Sequence, residues 1–191
     1  MNELLPQAYL IGLIGLLGGA AVLVGRQILR VRRDEQTLAR LGGGPKDKTP
    51  KDAAGLYELA SVQLRKRLYD QAGDTLKQAL RQAEAEQSPA EARALIENAL
   101  GFALAAQAKY PQAVRHYKAA LRAKADYPVA LNNLAFALEK QAKPEEARSL
   151  YEQVLGLEEG NKTARKRLKV LERRAGASIA AAPGSSNDKA A

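Results

Sequence analysis

The chain has 191 residues, no cysteine, no tryptophan, one histidine and a formal net charge of +9. Without cysteine there is no disulfide framework, thiolate metal site or cysteine nucleophile. The lone His116 has no partner in its sequence surroundings and reads as an exposed surface residue, so no acid–base constellation is visible. Val and Ile are sparse and no alternating run appears, which excludes strands and makes the chain all-α.

Leu4 to Gly25, LLPQAYLIGLIGLLGGAAVLVG, carries no charge. Its 22 residues reach about 33 Å as a helix, enough for a hydrocarbon core of about 30 Å. A secretory signal would put Lys or Arg before a shorter apolar core. Here Glu3 precedes the run and the arginines follow it, so residues 4–25 are expected to form a transmembrane helix. The positive-inside bias then puts the C-terminal side in the cytoplasm or, in a plastid, the stroma. Gly15 and Gly19 form a GxxxG with Gly12 and Gly18 nearby, which is either a helix-packing face or the ordinary glycine content of such helices.

Residues 26–52 continue as a basic juxtamembrane helix and a linker. Arg26, Arg30, Arg32 and Arg33 belong to the helix, Gly42-Gly43-Gly44-Pro45 is expected to end it, and Lys46 to Asp52 is polar.

From Ala53 to Asn161 the chain repeats itself. Leu59-Ala60, Leu100-Gly101 and Leu134-Ala135 recur, as do Ala72, Ala113 and Ala147, and Leu76, Tyr117 and Tyr151. Thirty-four residues separate Gly101 from Ala135, Ala113 from Ala147 and Tyr117 from Tyr151, which is the tetratricopeptide period. The step from Ala60 to Gly101 is seven residues longer, and so is the step from Ala72 to Ala113. One insertion at the first inter-repeat turn accounts for both, and it is expected to lengthen the helices there. Ser88-Pro89-Ala90-Glu91 reads as N-cap, first-turn proline and capping-box carboxylate. Three units result, 53–86, 94–127 and 128–161, in an α-solenoid whose helix pairs must stack to bury their apolar faces. Small residues stand where paired helices approach most closely.

Residues 52–161 carry 14 basic and 15 acidic residues, so the positive excess lies in two flanking blocks. One is juxtamembrane. The other is 162–174, expected to be a capping helix with Ala164, Leu168 and Leu171 on one face and a basic patch of Lys162, Arg165, Lys166, Arg167, Lys169, Arg173 and Arg174. Nucleic-acid binding through this helix is a rival reading; it requires steep salt dependence and is disfavoured because a basic block in a membrane-tethered chain reads first as a headgroup contact. Residues 175–191, rich in Ala, Gly and Ser, are expected to be disordered.

Resemblance to tetratricopeptide proteins implies that the first helix of each pair lines a concave protein-binding groove. By that register repeat one contributes Tyr57, Ser61 and Leu64, repeat two Asn98, Phe102 and Ala105, and repeat three Asn132, Phe136 and Glu139. Phe102 and Phe136 are the two phenylalanines of the chain, at equivalent positions. They are either anchors for a bound segment or packing between adjacent first helices. The positions of a chaperone-type carboxylate clamp hold Tyr57, Ser61, Ala99, Val129 and Asn133, of which Asn133 alone fits.

The whole pattern is more specific. Leu5-Pro6, Tyr9-Leu10, Gly18-Gly19, Arg26-Gln27, Arg32-Arg33, Tyr57-Glu58-Leu59, Asn98-Ala99-Leu100-Gly101-Phe102-Ala103, Asn132-Asn133 and Asn161-Lys162-Thr163-Ala164 follow one another in order. Over residues 4–174 this resembles the thylakoid tetratricopeptide proteins of cyanobacteria and chloroplasts that assist photosystem I assembly. The resemblance implies a single-pass thylakoid protein with its array on the cytoplasmic or stromal side, whose partners are photosystem I subunits or other assembly factors. A membrane-tethered adaptor in envelope biogenesis or secretion is the alternative. No enzyme activity, cofactor, metal or small-molecule substrate is expected.

Overall fold

The computed structural model describes residues 4–42 and 50–181. The expected linker stretch 43–49 and the last ten residues of the expected tail, 182–191, lie outside the described residues. The chain divides into two units, residues 1–50 and 51–191.

The first unit is α1 (Leu4–Gly42), a single helix of 39 residues. Along it Leu13, Ile14, Leu16, Leu17, Val22, Leu23, Val24, Ile28 and Leu29 are all exposed, and the glycines Gly12, Gly15, Gly18 and Gly19 have open space around them. A helical stretch whose described apolar side chains are all exposed is suited to a hydrocarbon solvent. Gly12–Thr37 is the one stretch among the described residues long and apolar enough to cross a membrane. At 1.5 Å per residue the helix reaches about 58 Å, so its basic part extends well beyond a core of about 30 Å.

The second unit holds α2 (Ala53–Arg65), α3 (Tyr69–Ala85), α4 (Ala90–Ala106), α5 (Tyr110–Ala123), α6 (Pro128–Lys140), α7 (Pro144–Leu157) and α8 (Lys162–Ala181). Each helix packs chiefly on its successor, as consecutive antiparallel pairs do. In addition α2 touches α4 and α4 touches α6, while no comparable contact joins α3 to α5 or α5 to α7. The first helices therefore form the inner, tighter layer of the solenoid. Pro111, Pro128 and Pro144 stand in the first turns of α5, α6 and α7, where a missing N–H costs nothing.

The turns recur with the repeat. Arg67, Ala108 and Ala142, each two residues past a first helix, have φ of 60°, 59° and 58°. A left-handed non-glycine residue is strained by about 1–2 kcal/mol. Main-chain bonds wrapping each helix end offset this: Leu68 N to Gln63 O at 2.9 Å, Lys109 N to Leu104 O at 2.9 Å and Lys143 N to Leu138 O at 3.0 Å.

The insertion is spread over both flanking helices. α3 and α4 have 17 residues each, against 13 or 14 for α2, α5, α6 and α7. Ser88 is not the N-cap of α4, however. Pro89 holds that position with φ −53°, no side chain caps the helix, and Ser88 N instead closes the end of α3 on Ala83 O at 2.8 Å. The end of the chain also differs from expectation. α8 runs to Ala181, seven residues past Arg174, because Ala-Gly-Ala-Ser-Ile-Ala-Ala is dominated by the best helix former and one glycine costs only about 1 kcal/mol. Asn161 caps it, its Oδ1 accepting from Ala164 N at 3.0 Å.

The core is built of small residues against tyrosine and leucine. Ala60, Ala72, Ala113, Ala135 and Ala147 are fully buried, as are Tyr117, Tyr151 and Leu76. Gly101 shows why the small positions matter: a Cβ there would lie 2.6 Å from Cε1 and 2.7 Å from Cδ1 of Tyr117. Gly101→Ala is therefore expected to lower the melting temperature, at a cost of about 1–3 kcal/mol. Gly156→Ala, with nothing within 4 Å of the added methyl, is the control and should be neutral or slightly stabilising. Equal melting temperatures for Gly101→Ala and wild type would mean that the ring does not occupy that space.

Burial raises the Tyr117 phenol well above its ordinary 10.0. Burial, and then the hydrogen bond from its hydroxyl to Glu139 Oε1 at 2.6 Å, raises Tyr151 likewise. Unfolding returns both to the ordinary value, so their neutral forms favour the fold. This stability is complete below pH about 10 and is lost as pH rises beyond it. Alkaline titration followed by tyrosinate absorbance should show a late step that coincides with loss of helical circular dichroism. All seven tyrosines ionising while the helices persist would contradict the packing.

Candidate protein-binding groove

The inner face of α2, α4 and α6 gathers most of the expected groove residues, but they are not equivalent. In repeat one Tyr57 is partly exposed, and Ser61 Oγ donates to Tyr57 O at 2.8 Å, satisfying its own helix. Leu64 turns toward the core cluster. In repeat two Phe102 is 44% exposed and meets Tyr69 edge to face, with ring centroids 6.5 Å apart. Asn98 joins the repeats: Asn133 Nδ2 donates to Asn98 Oδ1 at 3.0 Å, and Asn98 Nδ2 donates to the Tyr127 hydroxyl at 3.3 Å. Ala105 packs partly against the core.

Repeat three is arranged differently. Phe136 has the Arg167 guanidinium 4.7 Å and Lys140 Nζ 5.5 Å from its ring centroid. Glu139 is not an open groove contact: its side chain is only 6% exposed, one oxygen holds the Tyr151 hydroxyl and the other lies 3.7 Å from Arg167 Nη1. Asn132 Nδ2 reaches Asn161 Oδ1 at 3.4 Å, which ties α6 to the cap of α8. The two phenylalanines thus divide the two readings: Phe102 keeps an open face, and Phe136 is flanked by cations.

Two exposed apolar residues were absent from the expected set. Leu95 (42%) and Val129 (53%) lie 34 residues apart, each one turn before Asn98 and Asn132. Their common place in the register was the available signal. Beside Leu95 a cavity of about 360 Å³ opens between the N-termini of α2 and α4, lined mainly by Ala53, Ala54, Tyr57, Pro89, Ala92 and Ile96. It lies where the lengthened α3 and α4 meet.

On α8 the basic residues split by face. Lys162, Arg165, Lys166, Lys169, Arg173 and Arg174 are exposed, whereas Arg167 turns toward Glu139 and Phe136. Ala164 and Leu171 are buried, and Leu168 is partly buried against the core. His116 differs from its expected isolation: Nδ1 lies 2.7 Å from Glu97 Oε2, and both side chains are partly buried. That pair bridges α5 to α4.

The tetratricopeptide repeat family matches residues 129–157. Over 167 residues the chain is 32% identical to the tetratricopeptide repeat domain-containing protein PYG7, chloroplastic, of Arabidopsis thaliana, covering 87% of this chain and 54% of that protein. Over 171 residues it is 32% identical to ycf37 of Guillardia theta, covering 90% of this chain and 94% of that protein. The chain thus spans about half the length of the Arabidopsis protein and nearly all of the Guillardia one. In structure it resembles the first tetratricopeptide domain of Spaghetti (RPAP3) bound to an HSP90 peptide, with a TM-score of 0.60, 22% identity and coverage of 65% of this chain and 94% of that one. Tetratricopeptide folds are generally scaffolds for protein–protein interaction. With the repeat present in sequence and in fold, and almost the whole Guillardia protein matched, the chain belongs to the ycf37 family of tetratricopeptide-repeat proteins.

Proposed function

We propose that this protein is a thylakoid membrane scaffold, anchored by α1 with its array on the cytoplasmic or stromal side, that holds photosystem I subunits or their assembly partners while the complex is built. The observation that carries the binding role is the inner face. Of the four large apolar side chains exposed in the array, Leu95, Phe102, Val129 and Leu157, three lie on the first helices that line it. An open, mostly preformed apolar strip suits transient capture of an unfinished surface, with modest affinity from a few anchors. The chloroplast and algal relatives support the compartment, and the exposed apolar α1 followed by Arg26, Arg30, Arg32 and Arg33 supports the anchor and its orientation. The chaperone-type clamp positions hold Tyr57, Ser61, Ala99, Val129 and Asn133, none of them charged; Asn133 alone fits that pattern, and its Nδ2 donates to Asn98 Oδ1 at 3.0 Å.

Protease added to the cytoplasmic face of sealed membranes is expected to remove the array and leave α1 behind. Protection until the membrane is breached would reverse the orientation. In a deletion strain, Phe102→Ala is expected to leave the array folded, weaken client capture about fivefold or more, and lower accumulated photosystem I with photosystem II near normal. A folded Phe102→Ala that restores photosystem I fully removes the groove as the working surface. Equal loss of both photosystems would point to the broader adaptor role instead.

A further inference from the structure

The groove changes character along its length. The expected groove positions of repeats one and two, Tyr57, Ser61, Leu64, Asn98, Phe102 and Ala105, carry no charge. At the other end two cations converge on one ring, Arg167 Cζ at 4.7 Å and Lys140 Nζ at 5.5 Å from the Phe136 centroid.

Arg167 forms a long ion pair with Glu139 that makes no hydrogen bond between them, and Lys140 has no ion pair among the described residues. Arg167 has five N–H donors in a fixed fork. The carboxylate facing it, Glu139 Oε2, stands 3.7 Å from Nη1, beyond the 2.7–3.2 Å of a hydrogen bond. Glu139 is moreover held by the short bond from Tyr151 at 2.6 Å and is almost wholly buried, while Arg167 emerges to 37% exposure. Lys140 is exposed and has no carboxylate within salt-bridge distance among the described residues. The ring attracts each cation weakly without cancelling its charge. Its electropositive edge also leaves an approaching anion unopposed.

We propose that Lys140, Arg167 and the edge of Phe136 form a carboxylate subsite at the α8 end of the groove, so that the bound segment is apolar in its middle and ends in a carboxylate. The apolar residues rest on Leu95, Phe102 and Val129, and the carboxylate meets the fork of Arg167 and the ammonium of Lys140. This fixes the direction in which the segment lies. It places anion recognition on α8 and the end of α6, away from the uncharged clamp positions. The carboxylate is either an Asp or Glu side chain or the end of a chain. The proposal rests on the groove reading above and adds the chemistry of the partner.

The test uses the full chain in nanodiscs of zwitterionic lipid and three fluorescein-labelled probe peptides sharing one leucine-rich stretch. The first ends in two glutamates with an amidated terminus, the second in two glutamines with a free carboxylate, and the third in two glutamines with an amide. The first or second is expected to bind about fivefold or more tightly than the third, and which of them does so identifies the source of the carboxylate. Lys140→Glu, at an exposed site that cannot disturb the core, should abolish the preference, and Arg167→Lys should reduce it by losing the fork. A preference unchanged in Lys140→Glu overturns the subsite, because other α8 cations would then hold the anion. Equal binding of all three peptides, lost in Phe102→Ala, overturns the subsite and leaves the groove reading standing. Failure of every peptide to bind, or binding indifferent to Phe102→Ala, overturns both.

Discussion

The array depends on how closely a first helix can approach its own second helix. At Gly101 the approach is so tight that the Tyr117 ring occupies the space of a missing Cβ. Elsewhere fully buried alanines do the same work with one methyl each. Because no helix pair can bury its own apolar face, this close crossing sets where every later pair must stack. The inner layer, the line of exposed apolar residues and the seat of α8 all follow from it.

The two units distribute their apolar residues differently. Along its described side chains α1 exposes Leu13, Ile14, Leu16, Leu17, Val22, Leu23 and Val24, a pattern compatible with apolar surroundings. The array does the opposite, packing Leu76, Tyr117 and Tyr151 to zero or near-zero exposure, with the Glu139 side chain buried on the Tyr151 hydroxyl. The terminal helix completes this division. It buries Ala164 and Leu171 against the array and exposes Lys162, Arg165, Lys166, Lys169, Arg173 and Arg174.

Most of this was legible in the sequence because it is periodic. The spacing of Gly101, Ala113 and Tyr117 from Ala135, Ala147 and Tyr151 defines the repeat without any contact being known. What the spacing could not reach were contacts between residues far apart in the chain. Phe102 and Phe136 are equivalent by register, yet one meets Tyr69 and the other meets Arg167, so their environments diverge. Glu139 looked like a groove residue until Tyr151 and Arg167 were seen to claim it. His116 gained its partner only when α5 folded back onto Glu97 of α4. Local errors had local causes: Pro89 displaced Ser88 as the helix start, and an alanine-rich segment extended α8.

The lengthened α3 and α4 give the array a property that a perfect repeat lacks. A strictly periodic groove would present the same surface after a shift of one unit, and a bound segment could slip along it at little cost. Here the lengthened start of α4, with the cavity lined by Pro89, Ala92 and Ile96 beside it, breaks the repeat. Translation by one repeat would carry a segment from that notch onto the shorter α6, where Val129 takes the place of Leu95 but the four additional residues of α4 have no counterpart. On the groove reading proposed above, this irregularity would act as a detent, setting apart one place on an otherwise self-similar surface.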